Sequence, residues 1–217
     1  MSGPGVVLLH GIVRSSKSIY TVAEDLRNAG FTPFPMEYSS TQLSIPEAAE
    51  YLDSVIRSLD GIDEVHLVGH SMGGLVIRAW FANHHDPRIG RVVMLGTPNY
   101  GAVTDDGGLI PSLPTPPCEF AIIAGARNKP GGWNPFIPGD DDGTVTLRST
   151  RLAGAADFDT APLLHHALLG DHAVSEKVAR FLSTGRLRET GDPQPIPTGP
   201  VSAVEDLAEH QSTTPKR

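Results

Sequence analysis

The chain has 217 residues, 39% of them apolar, enough to bury a substantial core and within the range of one α/β domain. Its 17 basic and 25 acidic residues leave a net charge of −8, and the basic ones are scattered, so nucleic acid is not an expected partner. The single cysteine, Cys118, excludes an internal disulfide and fits a reducing compartment.

The opening residues, MSGPGVVLLHG, lack a basic stretch followed by a long apolar one, so no signal peptide is read. No run approaches the roughly 18 apolar residues of a membrane span. A cytoplasmic protein without integral membrane association is expected.

Apolar runs rich in β-branched residues alternate with segments of helical period, the pattern of a parallel sheet flanked by helices on both faces. Strands are predicted at 5–9, 31–36, 64–69, 91–95, 119–125 and 157–163, and helices at 17–29, 45–59, 72–85 and 172–183. The first strand, Val6 to Leu9, runs into His10-Gly11-Ile12, a turn from which a backbone N–H can point above the sheet. The His10 ring is read as a brace for that turn. The helix at 45–59 opens on a capping Ser44, with Pro46 and Glu47 in its first turn, and presents Ala48, Leu52, Val55, Ile56 and Leu59 to the sheet.

The third strand ends in Gly69-His70-Ser71-Met72-Gly73, and a helix follows with Leu75, Val76, Ala79 and Trp80 on its apolar face. The GxSxG string alone is weak. Strand, sharp turn and helix around it make it strong: such a turn projects the Ser71 Oγ above the sheet, and the glycines let helix and strand approach closely. A nucleophilic serine attacking a carbonyl needs two N–H donors for the oxyanion, and these are assigned to the amides of Ile12 and Met72.

Residues 96–118 read as irregular, because Pro111, Pro114, Pro116 and Pro117 prevent a long helix. After the strand at 119–125 comes Gly139-Asp140-Asp141-Asp142-Gly143-Thr144-Val145, which sets carboxylates where a strand-end loop could orient an imidazole. A calcium loop starting at Asp140 fails, since Val145 stands where Gly is needed and Arg151 where Glu is needed. The remaining reading of the run is a solvated acidic turn. His165 and His166 follow the last strand, in position for a general base reaching back to Ser71. Other histidines have ordinary explanations: His84 and His85 suit a helix C-terminus, His66 lies in a strand and His210 in the tail. No spacing joins His165, His166 and His172 into a metal site.

Gly69–Gly73, the His10-Gly11 turn, Gly96-Thr97-Pro98-Asn99-Tyr100-Gly101, Asp142-Gly143-Thr144-Val145 and a histidine after the final strand together resemble small bacterial esterases and lipases of the α/β-hydrolase fold. The resemblance spans about residues 5–188 and implies a minimal α/β-hydrolase, with a six-stranded, mostly parallel sheet and helices on both faces. It implies that the acid immediately precedes the Gly of a DGxV motif, which selects Asp142. It also implies that the base is followed at fixed offsets by apolar residues, which Leu168, Leu169 and Val174 satisfy from His165 but not from His166. Larger relatives carry two further strands before the His-Gly turn and a helical lid, so this chain resembles the lidless branch.

The expected domain is 1–188, and 189–217 is expected to be a disordered Pro-rich tail with a possible short helix at 201–209. The implied activity is hydrolysis of a carboxylic ester, from a small-molecule or lipid substrate, by Ser71, Asp142 and His165 with no cofactor and no metal. Thioester cleavage, acyl transfer to an alcohol and a catalytically silent binding module stay open beside it.

Overall fold

Strict alternation in the first strand organises the molecule. Val7 and Leu9 face one apolar layer, while Val6 and Leu8 face another, so the strand is buried on both sides. The computed structural model describes residues 3–101, 108–129, 131–137 and 139–198. In chain order its elements are β1 (Gly5–Leu9), α1 (Tyr20–Asn28), β2 (Thr32–Met36), α2 (Ile45–Arg57), β3 (Val65–His70), α3 (Met72–Asn83), β4 (Ile89–Leu95), α4 (Leu109–Ser112), β5 (Phe120–Gly125), α5 (Leu147–Thr150), β6 (Asp157–Ala161) and α6 (His172–Thr184).

The strands form one six-stranded sheet in the order β2-β1-β3-β4-β5-β6, with every pairing parallel. Helices α2 and α3 cover one face and α1 and α6 the other. This is the expected α/β-hydrolase architecture. In a parallel sheet all strand C-termini share one edge, so the loops after β1, β3, β5 and β6 converge there, the usual location of a binding crevice in open α/β sheets. No helix among the described residues is long and apolar enough to cross a membrane.

Local chemistry explains the element boundaries. The Ser44 side chain accepts from the Glu47 amide, and the Glu47 carboxylate accepts from the Ser44 amide at 2.8 Å, a reciprocal cap that starts α2. At the elbow, a side-chain carbon on Gly69 would lie 2.5 Å from the Gly74 nitrogen, and one on Gly73 would lie 2.6 Å from the Leu9 carbonyl oxygen. Only glycine lets α3 pack this closely on β3 and β1.

Three departures from the sequence reading have physical causes. The helix expected at 17–29 begins as a tighter 3-10 turn at Ser16–Ile19 before α1. One helical turn, α4, forms in the Pro-rich stretch, because Pro111 sits in a first turn where its missing N–H has no partner to lose. Residues 189–198, expected to be disordered, are instead docked. The Gln194 amide donates to Asp157 at 2.8 Å, and Ile196, 1% exposed, exchanges backbone hydrogen bonds with Gly154 and Ala155. The expected helix at 201–209, with the rest of the tail, lies outside the described residues.

Candidate active site

Ser71 follows β3 directly and precedes the first residue of α3, with φ 54° and ψ −123°. A positive φ at a non-glycine residue is strained, and the strain is what turns the chain sharply enough to lift Oγ off the strand. The turn is fixed by the Ser71 amide, which donates to the Leu95 carbonyl at 2.9 Å, and by the Gly74 amide, which donates to the Ser71 carbonyl at 3.1 Å. Met72 opens α3, so its amide stands at the helix N-terminus, where backbone N–H groups have no partner within the helix.

The turn after β1 lies against this elbow. A side-chain carbon on Gly11 would stand 3.0 Å from the Ser71 Cβ and 3.5 Å from its Oγ. His10 is fully buried and its Nδ1 donates to the Gly11 carbonyl at 2.9 Å. Tyr38 stacks on that ring at 4.4 Å and donates its hydroxyl to the His10 carbonyl at 2.5 Å, so His10 acts as the brace read from the sequence. Burial pushes the Tyr38 phenol well above its ordinary range and keeps it a donor. Beyond Gly11 the chain surfaces: Ile12 is 55% exposed, and Val13 also takes a positive φ, 56°.

Asp142 and His165 are brought together from the loops after β5 and β6. His165 Nδ1 and Asp142 Oδ2 are 2.6 Å apart, and the His165 amide donates to the Asp142 carbonyl at 2.8 Å. The other carboxylate oxygen of Asp142 accepts from the amides of Thr144 and Val145 at 3.0 and 2.7 Å. This carboxylate is 1% exposed yet fully engaged, the condition under which a buried charge is tolerable. With Nδ1 as donor to Asp142, the other nitrogen of His165 is left to exchange a proton. Gly96 flanks the ring, since a side-chain carbon there would lie 3.1 Å from His165 Nδ1.

The neighbours of these two residues behave differently. His166 is exposed and opens the 3-10 turn Ala167–Leu169. Asp140 accepts from the amides of Arg127 and Asn128 at 2.8 and 2.9 Å. Asp141, expected to be a solvated turn residue, is fully buried and accepts from the amides of Asn134 and Gly143 at 3.0 and 2.6 Å. Its partners come from a loop without periodicity, so no sequence pattern announced them. Among the described residues no group of three or more His, Cys, Asp or Glu is placed to hold a metal ion.

Two further residues were missed. His70 stands inside the GxSxG string, and its ring lies 4.7 Å from that of His165. Arg78, on α3, is 2% exposed and donates to the carbonyls of Asn99, Leu113 and Pro114. The alternation of β3, which puts His66, Val68 and His70 on one side, was the available signal for the first. None existed for the second, because arginine in a helix reads as surface.

The family model described as alpha/beta hydrolase fold matches residues 4–116. Among solved structures, a gene product of Listeria innocua is 15% identical with a TM-score of 0.63, over 91% of this chain and 99% of that one. A protein of the alpha/beta superfamily from Xanthomonas campestris is 16% identical with a TM-score of 0.58, over 83% of this chain and 99% of that one. A metagenomic carboxyl esterase is 13% identical with a TM-score of 0.57, over 76% of this chain and 65% of that one. At such identities these likenesses speak for the fold alone.

Proposed function

The chain belongs to the alpha/beta hydrolase fold family, and from that premise we propose that it is a serine hydrolase cleaving carboxylic esters of short to medium acyl chains through an acyl-enzyme. The observation that carries this reading is the 2.6 Å contact between His165 and Asp142, on the same sheet edge as a serine held at positive φ. His165 takes the proton of Ser71 as Oγ attacks the ester carbonyl, and Asp142 orients the ring and stabilises the imidazolium. The amides of Ile12 and Met72 hold the oxyanion; losing one such donor typically costs about 2.7–4 kcal/mol of barrier. Collapse of the tetrahedral intermediate expels the alcohol, which receives the proton from His165. Water, activated by the same ring, then releases the acid.

The preference for short and medium chains rests on residues 96–118, whose prolines leave one helical turn, α4, among the described residues. Read as lidless on the described residues, the site gains nothing when substrate aggregates, and methylenes beyond the pocket add little of the about 0.8 kcal/mol that each buried one contributes. Thioester cleavage and acyl transfer to an alcohol would use the same groups.

A fluorophosphonate probe and a series of p-nitrophenyl esters, applied to wild type and Ser71→Ala, test the proposal. Labelling and turnover are expected in wild type and absent in the variant, with a loss of about 10⁶-fold in kcat. Turnover near normal in Ser71→Ala would remove the assigned nucleophile. A maximum at long acyl chains, or a steep rise in rate at the solubility limit of tributyrin, would overturn the lidless reading.

A further inference from the structure

His70 Nε2 lies 3.0 Å from the backbone carbonyl oxygen of His165, ninety-five positions along the chain. A carbonyl only accepts, so Nε2 carries the hydrogen and Nδ1, if the ring is neutral, carries a lone pair. That Nδ1 is buried without a hydrogen-bond partner among the described residues. It faces Gly11, where a side-chain carbon would stand 3.1 Å away. Burial, followed by the neighbouring His165, pulls the His70 imidazole down to about 3, so the ring stays neutral at working pH.

The base is therefore tied on both sides of its own α-carbon. Its amide is held by the Asp142 carbonyl at 2.8 Å and its carbonyl by His70, while its ring packs at 4.7 Å against the His70 ring. We propose that His70 is a positioning residue for His165: its Nε2–H and its ring fix the place and tilt of the base for proton exchange with Ser71. The inference rests on the reading of Ser71 and His165 as nucleophile and base. A neutral ring suits the task, because a charged one at this distance would oppose the imidazolium that forms on His165 during attack. Its orphaned Nδ1 makes it a poor choice for packing alone, since an apolar side chain of similar size would leave no buried acceptor unmade.

The experiment compares wild type, His70→Leu, His70→Phe, His70→Gln and Ser71→Ala on p-nitrophenyl butyrate, with Tm measured for each. Leu and Phe remove the donor, and both are expected to lower kcat by about 10- to 100-fold with KM within about twofold, the signature of a misplaced reacting group. Gln carries its amide nitrogen about as far from the backbone as Nε2 and still donates, so it is expected to restore kcat to within about fivefold of wild type. Phe keeps the ring contact and decides the matter if the Leu variant fails to fold. Wild-type kcat in the Leu or Phe variant, beside an inactive Ser71→Ala, overturns the inference and leaves the nucleophile standing. So does a Gln variant as impaired as Phe at equal Tm. An active Ser71→Ala overturns the nucleophile, and the inference with it.

Discussion

Ser71 occupies a backbone conformation that costs on the order of 1–3 kcal/mol, and the helix and strand packed around Gly69 and Gly73 hold it there. Side chains near it divide into those assigned to the proposed reaction and those that hold the loops. His165→Ala and Asp142→Ala are expected to lose about 10⁴-fold or more in kcat, whereas the exposed His166→Ala keeps most of it. A dead His166 variant beside an active His165 variant would reverse the assignment of the base. Asp141→Ala belongs to the second kind. It orphans the Asn134 and Gly143 amides, so a loss of about 2 kcal/mol in chemical denaturation is expected, with activity reduced through the displaced Asp142 loop. Unchanged stability would mean that other groups take up those amides. Asp140→Ala, which frees amides nearer the surface, is expected to be milder on both counts.

Among the elements, α3 does more than present Ser71. Arg78 lies on it with no carboxylate partner among the described residues, and its guanidinium is pulled down to about 10 by burial. Its fork moors the stretch around Asn99, Leu113 and Pro114 to the helix, while the Asn99 side chain donates to the Thr150 carbonyl at 2.8 Å. Arg78→Met is expected to destabilise the fold by about 3 kcal/mol, because several carbonyls lose their donor even as a buried charge is removed. Lysine lacks the planar fork and is expected to rescue only part of this. Limited proteolysis within 96–118 should accelerate in both variants; equal resistance to cleavage would show that the loop is held by other contacts.

Elements of this kind mark where sequence reading ends. β1, β3, β5 and α2 were legible because alternation, helical period and a capping box are local signals, and the elbow was legible for the same reason. Asp142 and His165 were narrowed to short runs by position, and only a resemblance separated them from their neighbours. Arg78, Asp141 and Ile196 were illegible. Arg78 and Ile196 are buried by segments far along the chain and Asp141 by an aperiodic loop close to it, and nothing in a single letter tells an arginine that reaches solvent from one that reaches three carbonyls.

At the scale of the whole molecule, histidine burial sets the response to pH. His66 and His70 are held below their ordinary value by burial, so in the unfolded chain they take up protons near pH 6.5 that the folded chain refuses. Stability therefore falls as pH drops below about 6.5, by up to about 1.4 kcal/mol per pH unit for each ring that stays neutral. His172 acts in the opposite sense. Its hydrogen bond to Asp25, 2.8 Å long, raises it above the ordinary value, and that clip between α6 and α1 is complete in acid and lost as pH rises through the raised value. It is exposed and screened, so the buried pair prevails. Tm is expected to fall between about pH 8 and about pH 5, and to fall more steeply in His172→Gln. Glu37 and Asp86, held low by hydrogen bonds from Ser16 and Arg88, titrate below this range. A flat Tm across it would mean that His66 and His70 take up protons in the folded protein.

The packing of α1 on α6 carries a consequence for how the protein is made. Val6, Leu8, Val22 and Leu26 share one apolar layer with Val174, Val178 and Phe181, so the layer begun by β1 and α1 is completed only once α6 has been made. Translation at about 5–20 residues per second leaves that half-built surface uncovered for on the order of 10 s. During this interval the nascent chain presents a parallel sheet whose second side is covered by α1 without α6, a target for chaperones and a seed for aggregation. Chains that stop short of His172 should accumulate as inclusion bodies even though every strand has been synthesised.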